Sequence, residues 1–407
     1  MRDSNAGVQF FADFEPLAYF SKDADTISIM LSDIILKAII FLLPTQLGLH
    51  FWPDFSRVVG IKIDYLSPTL YLTDLFLIIY LLLNLRPLTS WLKQKKRPTL
   101  FLVGFAVINT VFGVSPISTL YWWSRNILYL IFFITLRLNK VTWKQIKRPL
   151  LFSTLLVVIL EVFQAIGQHS VNGLFYWLGE RNYLASTPGL GKLSIMGRDF
   201  IRPQSTFSHP NSLAGYLLIV NYLFETHKSP IWQRLVVFTG LIFTFSKAAL
   251  LAYLLVISLH LESVSIIVFL IASILQIFLI NLPDLPQFVS DRLILLAPTK
   301  KIIMSHPLTG TGLGGFIPSL AKYLPGSFLV PAKLQPVHNI ILLLIAETGA
   351  FGLGSLIYIV KANYRKIVNK RFLALLALVI ITGCFDHYWW TLPQNKLIIL
   401  LATALML

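Results

Sequence analysis

One cysteine, Cys384, stands in the 407-residue chain, inside an apolar run. An intrachain disulfide is therefore impossible, and the cysteine usage points to no metal site. Charge is also scarce. Asp, Glu, Lys and Arg make up 13% of the residues, against roughly 25% in a soluble domain. A soluble enzyme of this length would need a more highly charged surface. Acidic residues are the scarcer sign, 18 against 34 Lys and Arg, for a net charge of +16. The excess sits largely in short loops between apolar runs, which argues against nucleic acid as a partner. There is no repeat, no low-complexity tract and no soluble domain at either end. No cleavable signal peptide is read either. The first apolar segment starts near Ile27, after Asp13, Glu15, Asp23 and Asp25, and continues like a span.

What is abundant is apolar sequence, 56% of the chain, in runs of about 15–20 residues, the length that crosses a bilayer. The expected fold is all-α: one integral membrane domain over residues 1–407, a polytopic bundle of about twelve spans. The expected spans are Ile27–Leu47, Thr69–Leu85, Thr99–Val114, Leu120–Leu136, Leu151–Gly167, Leu213–Thr226, Leu235–Phe245, Ala248–Leu261, Val264–Ile280, Asn339–Val360, Phe372–Phe385 and Lys396–Leu407. Phe245-Ser246-Lys247 reads as a break within the membrane. The loops Arg86–Pro98, Arg137–Pro149, His227–Arg234 and Lys361–Arg371 are rich in Lys and Arg and fall on one side, which is assigned to the cytoplasm. The opposite side then carries two large extracytoplasmic loops, residues 168–211 and 281–338. Both hold Trp, Tyr, Phe, Gly and Pro and read as ordered caps.

These outer loops break the positive-inside trend. The first holds Arg181, Lys192, Arg198 and Arg202; the second holds Arg292, Lys300, Lys301, Lys322 and Lys333. Cations at an outer membrane surface suit a phosphate-bearing lipid, which Arg grips bidentately and Lys meets as a point charge. Solvated charge or headgroup contact is the plainer alternative for any one of them. Before a span comes Arg202-Pro203-Gln204-Ser205-Thr206-Phe207-Ser208-His209-Pro210-Asn211. Pro210 suits a helix start and Asn211 a cap, so His209 and Asn211 carry either a capping or a binding role. The Gly-rich stretch Pro307–Phe316 can offer backbone N–H groups to phosphate, with Gly312 at its centre, although it has no P-loop ending. His338 precedes a span and is a candidate proton acceptor or diphosphate ligand, and Asn339 beside it is a candidate substrate-binding residue. Glu161, Gln164 and Gln168 form a polar stripe at helical spacing that is expected to line a sugar cavity. Asp33 and Lys37, four residues apart, are expected to pair. Asp23-Ala24-Asp25 has the spacing of a metal-binding carboxylate pair but lies on the cytoplasmic side. The outer loops have no such pair, so no metal and no cofactor are expected.

Several stretches together resemble the bacterial O-antigen ligase and O-antigen polymerase family. They are GER at Gly179–Arg181, RPQSTFSHPNSLAGYL at Arg202–Leu217, FSKAALLA at Phe245–Ala252, HPLTGTGLGGF at His306–Phe316, HNIILLLIAETGAFGL at His338–Leu353 and FDHYWWTLPQ at Phe385–Gln394. The early segment Pro44–Asp74 looks like the start of one branch. The resemblance implies a membrane glycosyltransferase of the GT-C type. Its donor would be a glycan on undecaprenyl diphosphate, and its acceptor a hydroxyl of a glycan, lipid or protein. The site would face the periplasm or exterior of a bacterial cytoplasmic (inner) membrane. By motif, His338 and Arg292 match the family's histidine and arginine, and Arg202 joins them as a candidate catalytic group. Ser246-Lys247 stands where the family has Ser-Arg, which makes Lys247 a candidate phosphate ligand, with a buried pair to Glu347 as the alternative. The expected reaction is metal-independent and inverting. A transporter or flippase of lipid-linked glycans is the alternative; it should show an internal repeat.

Overall fold

The computed structural model describes residues 16–187, 189–257, 293–362 and 369–407. It is mainly helical, as expected, but the twelve-span bundle is not what these residues form. Among them, two helices are long and apolar enough to cross a membrane, Trp143–Gly167 and Ile340–Lys361. A third arises only if Leu72–Leu83 and Leu85–Gln94, bent by 74° at Asn84, are taken as one broken span. Several of the apolar runs are cut by breaks that hydropathy does not register. Helices of 13–17 residues reach only about 20–26 Å, short of a hydrocarbon core of about 30 Å. The end of the expected span Ala248–Leu261 from residue 258, the expected span Val264–Ile280 and the start of the second loop lie outside the described residues.

The chain begins with α1 (Pro16–Leu42) and an outer segment holding β1 (Gly48–His50), β2 (Arg57–Val58), β3 (Ile61–Lys62) and β4 (Thr69–Tyr71). β1 and β4 pair antiparallel with His50 opposite Thr69, so this segment returns to its origin before α2 (Leu72–Leu83). Then follow α3 (Leu85–Gln94), α4 (Lys96–Val111), α5 (Pro116–Leu138) and α6 (Trp143–Gly167). The hairpin β5 (Lys192–Ile195) and β6 (Arg198–Ile201) leads to α7 (Pro210–Thr226), α8 (Ile231–Phe243) and α9 (Lys247–Ala252). The last part holds α10 (Leu296–Ser305), α11 (Phe316–Leu320), α12 (Ile340–Ala362), α13 (Lys370–Gly383), α14 (Tyr388–Thr391) and α15 (Pro393–Met406).

The core is centred on α7, which is buried on every side from Ser212 to Glu225. A helix apolar all round belongs inside a bundle, and α7 packs against α8, α9, α13 and α15. A second, smaller core gathers Ile63, Leu66, Leu295, Phe316, Ile317, Leu334 and Val337. It joins the outer segment, α10, α11 and the start of α12.

Two breaks shape the interior. Phe245 at φ +51 separates α8 from α9, where the sequence expects a break. Gly349 at φ +62 kinks α12, and the Gly-rich segment plugs the gap. Thr311 N and Gly312 N donate to Ala346 O and Glu347 O, at 2.9 and 3.1 Å. Ala350 N and Phe351 N donate back to Pro307 O and Leu308 O, at 2.9 and 3.1 Å. These bonds satisfy backbone groups that the kink would otherwise strand. A Cβ on Gly310 would fall 2.3 Å from the Glu347 carbonyl carbon, so only glycine approaches this closely.

Candidate functional site

Between the outer segment, the first large loop and the starts of α7, α12 and α15 lies a cavity of about 820 Å³. Each expected motif that reaches it does so for a local reason. Gly179 takes φ +92, and a Cβ there would sit 2.4 Å from Gln46 N, so the loop crosses the outer segment at a glycine. Glu180 is buried and ties its own loop. Its carboxylate accepts from Val171 N at 2.7 Å, Asn172 N at 2.6 Å and Gln164 Nε2 at 2.8 Å. Arg181 is left at the cavity wall, half-exposed and 3.7 Å from Asp64.

The segment after β6 is threaded into the bundle. Ser205 Oγ donates to Val157 O at 2.9 Å, and Thr206 Oγ1 donates to Pro44 O at 2.6 Å. Arg202 lines the cavity. It donates through Nε to Thr244 O at 2.9 Å and through Nη2 to Asn211 Oδ1 at 2.8 Å. His209 is the N-cap of α7, accepting from Asn211 N at 3.1 Å, with Pro210 at the first helical position. Asn211 Nδ2 donates to Asp386 Oδ2 at 3.0 Å.

Asp386 is the hub of this wall. Its Oδ1 accepts from His387 N at 2.8 Å and lies 3.7 Å from His338 Nδ1 and 3.9 Å from His387 Nε2. Burial works to raise its pKa. The His338 ring beside it and the charges of His387 and His209 outweigh burial and hold the carboxyl well below the usual range. His387 is held by Thr391 Oγ1, 3.0 Å from Nδ1, and by the edge of Tyr65, with ring centroids 5.3 Å apart. His50, from the outer segment, also lines the cavity and has its pKa lowered. Burial is the main cause, Asp64 opposes it and Arg181 adds to it.

Lys192 and Lys333 complete the basic lining, and Tyr71, Tyr121, Trp122 and Tyr176 add aromatic surface. Arg125 also reaches the cavity but is spent. It donates through Nη2 to both oxygens of Asp74, at 2.9 and 3.1 Å, through Nη1 to Thr69 O and Tyr121 Oη, and through Nε to Tyr129 Oη.

The structure therefore brings together Arg181, Arg202, His209, Asn211 and His338. Other expected site residues stand elsewhere. Arg292 lies outside the described residues. Glu161 is fully buried in α6, with neither carboxylate oxygen hydrogen-bonded among the described residues, near where a Gly240 Cβ would be. Gln164 does not line the cavity either. Its Oε1 accepts from Gln204 N and Ser205 N, at 3.1 and 2.7 Å, so the polar stripe pins loop backbone instead of facing sugar. Gly312 packs against Gly113 and Thr119, and its N–H is spent on the α12 kink. Asn339 caps α12, its Oδ1 accepting from Ile341 N and Leu342 N, both at 3.0 Å. Lys247 is exposed at the start of α9, outside the cavity lining, while Glu347 accepts from Trp390 Nε1 at 2.7 Å and Gly314 N at 2.9 Å. The expected Asp33–Lys37 pair is present at 2.6 Å.

Asp386 and His387, which line this wall, are residues that sequence reasoning did not single out. They were visible as an acid and a histidine closing an apolar run, in FDHYWWTLPQ. Against known proteins, neither family models nor curated sequences give a match to this chain.

Proposed function

We propose that this chain is a membrane glycosyltransferase that moves a glycan from a lipid diphosphate, such as undecaprenyl diphosphate, to an acceptor hydroxyl. The observation that carries the reading is the cavity of about 820 Å³ whose wall combines Arg181, Lys192, Arg202 and Lys333 with Tyr71, Tyr121, Trp122 and Tyr176. That volume lies within the range of small-ligand sites, about 300–1,000 Å³. Fixed cations suit a diphosphate leaving group, because negative charge develops there as the sugar C1–oxygen bond breaks. Aromatic faces suit the apolar faces of sugar rings. His338, Asp386 and His387 lie on the same wall and are assigned to the acceptor hydroxyl, which attacks the sugar carbon opposite the leaving group and inverts it.

The membrane setting follows the same reading. Trp143–Gly167 is one of the candidate spans, and it runs directly into the loop that supplies Arg181 and Arg202. A lipid carrier held in the bilayer would meet the cavity at that end. The proposed location is the outer face of a bacterial cytoplasmic membrane, with ligation and polymerisation as the two outcomes set by the acceptor.

The test is reconstitution of the full chain in liposomes with an undecaprenyl-diphosphate glycan and glycan, lipid or protein acceptors, followed by mass measurement of the products. A product heavier than the acceptor by the glycan, with release of the lipid diphosphate, supports the reading. Movement of intact lipid-linked glycan across the bilayer without a new glycosidic bond would replace it with a flippase.

A further inference from the structure

His338 precedes α12, Asp386 and His387 precede α14, and one ligating atom from each lies within 4.8 Å of the other two. The two carboxylate-to-ring separations, 3.7 and 3.9 Å, are too long for hydrogen bonds. They are close to the spacing imposed by one ion. Metal bonds of about 2.0–2.2 Å in a tetrahedral site put neighbouring ligand atoms about 3.3–3.6 Å apart.

The surroundings orient each donor inward. Among the described residues, His338 Nδ1 is buried without a hydrogen-bond partner. His387 has its Nδ1 against Thr391 Oγ1, which leaves Nε2 toward Asp386. Asp386 has Oδ2 held by Asn211, which leaves Oδ1 between the two rings. Histidine and carboxylate ligands held by outer hydrogen bonds are how protein sites fix a transition metal. All three residues also line the large cavity, so positions not taken by protein remain open to water or a substrate oxygen.

We propose that His338, Asp386 and His387 bind one divalent transition-metal ion of the zinc class. Two imidazoles and one carboxylate favour zinc over magnesium or calcium, which prefer all-oxygen shells. This replaces the metal-free expectation drawn from the outer loops, whose search for paired carboxylates does not detect a two-histidine site. The binding claim stands on the geometry alone. Its use in glycan transfer rests on the function proposed above, where the ion would polarise an oxygen held in an open position.

The experiment uses the full chain in detergent, stripped of metal and titrated with Zn²⁺ against a chromophoric chelator. One site per chain is expected. Asp386→Asn and His387→Asn should each weaken it at least ten-fold, and Thr391→Val should weaken it by about ten-fold, as outer-shell changes do. His306→Gln, outside the cavity, should leave it unchanged. Co²⁺ should give a visible absorption band that the Asp386 and His387 variants lose. Failure of the unmodified chain to bind one equivalent overturns the proposal without reference to any variant. So does a site that both variants leave intact. Zinc binding without glycan transfer would sink the proposed function and spare the metal site. Transfer by metal-stripped protein that binds no zinc would do the reverse.

Discussion

The segment before α7 and the Gly-rich segment before α11 look alike as sequence, each dense in special residues and each leading into a helix. In the folded chain they have opposite uses. The first threads its backbone into the core and leaves Arg202, His209 and Asn211 on the cavity wall. The second spends its backbone N–H groups on the kink of α12 and the carboxylate of Glu347. The first keeps polar side chains at the cavity wall, bonded to one another and to Asp386, whereas the second offers that wall none. A division also runs between the arginines. Arg125 is satisfied by Asp74, Thr69 and two tyrosines, whereas Arg181 stands half-exposed at the wall.

The largest expected effect lies on the satisfied side. Arg125→Met would leave Asp74 buried without its cation, and removing one partner of such a pair costs about 3–5 kcal/mol. The variant should fall sharply in yield and melting temperature in detergent, and Arg125→Met with Asp74→Leu should recover much of both. A single variant as stable as the parent would show that this pair contributes nothing and would dissolve the contrast. On the cavity side, Arg202→Ala should lower transfer by about 10²–10³-fold if the cation meets charge in the transition state. Arg202→Lys should recover part of this loss, since the bidentate fork is gone. Transfer unchanged in Arg202→Ala would move the phosphate contact elsewhere on the wall.

Next comes the plug. Gly310→Ala would drive a Cβ into the α12 backbone at φ +70, while Gly197 at φ +77 has open space around it. The backbone strain of a non-glycine residue there is about 1–2 kcal/mol in both cases, and Gly310 adds the clash. Gly310→Ala should therefore destabilise the chain clearly more than Gly197→Ala in thermal melts. Equal effects would mean that the Gly-rich segment is not wedged into the kink.

The parts legible in sequence were those set by local chemistry. Pro210 opens a helix, Asp33 and Lys37 pair at four residues' spacing, and Phe245-Ser246-Lys247 is a break. Arg181, Arg202 and His338 stand out in sequence as polar residues beside apolar runs, and they line one cavity. The span count failed because hydropathy reports composition and not direction. It does not register the 74° bend at Asn84 or the reversal of φ at Gly349. Glu161 and Gln164 share one helix stripe, yet Gln164 binds loop backbone while Glu161 lies against Gly240 of α8. Helical periodicity names a face and says nothing about what covers it. Asp386 and His387 acquire their chemistry only from His338, brought beside them by the packing of α12 against α14.

Asn339 gives the smallest expected effect and the sharpest separation of position from role. It sits next to His338, and by adjacency alone it belongs with the binding residues. Its Oδ1 is instead occupied by Ile341 N and Leu342 N, and its Nδ2 reaches Cys384 O at 3.4 Å, a weak contact. The first turn of α12 has N–H groups with no partner within the helix, and Asn339 supplies one. Asn339→Ala should therefore lower stability by about 1 kcal/mol, as loss of a cap does, and leave the transfer rate of the folded fraction unchanged. Asn339→Asp keeps the acceptor and places a negative charge at a helix N-terminus, so it should match the parent in melting temperature or exceed it slightly. If Asn339 instead bound substrate through its amide, Asn339→Asp would keep stability and lose transfer, because the carboxylate would repel the diphosphate. Measuring both quantities on both variants decides the matter, and loss of transfer in a fully stable Asn339→Asp protein would return Asn339 to the binding wall.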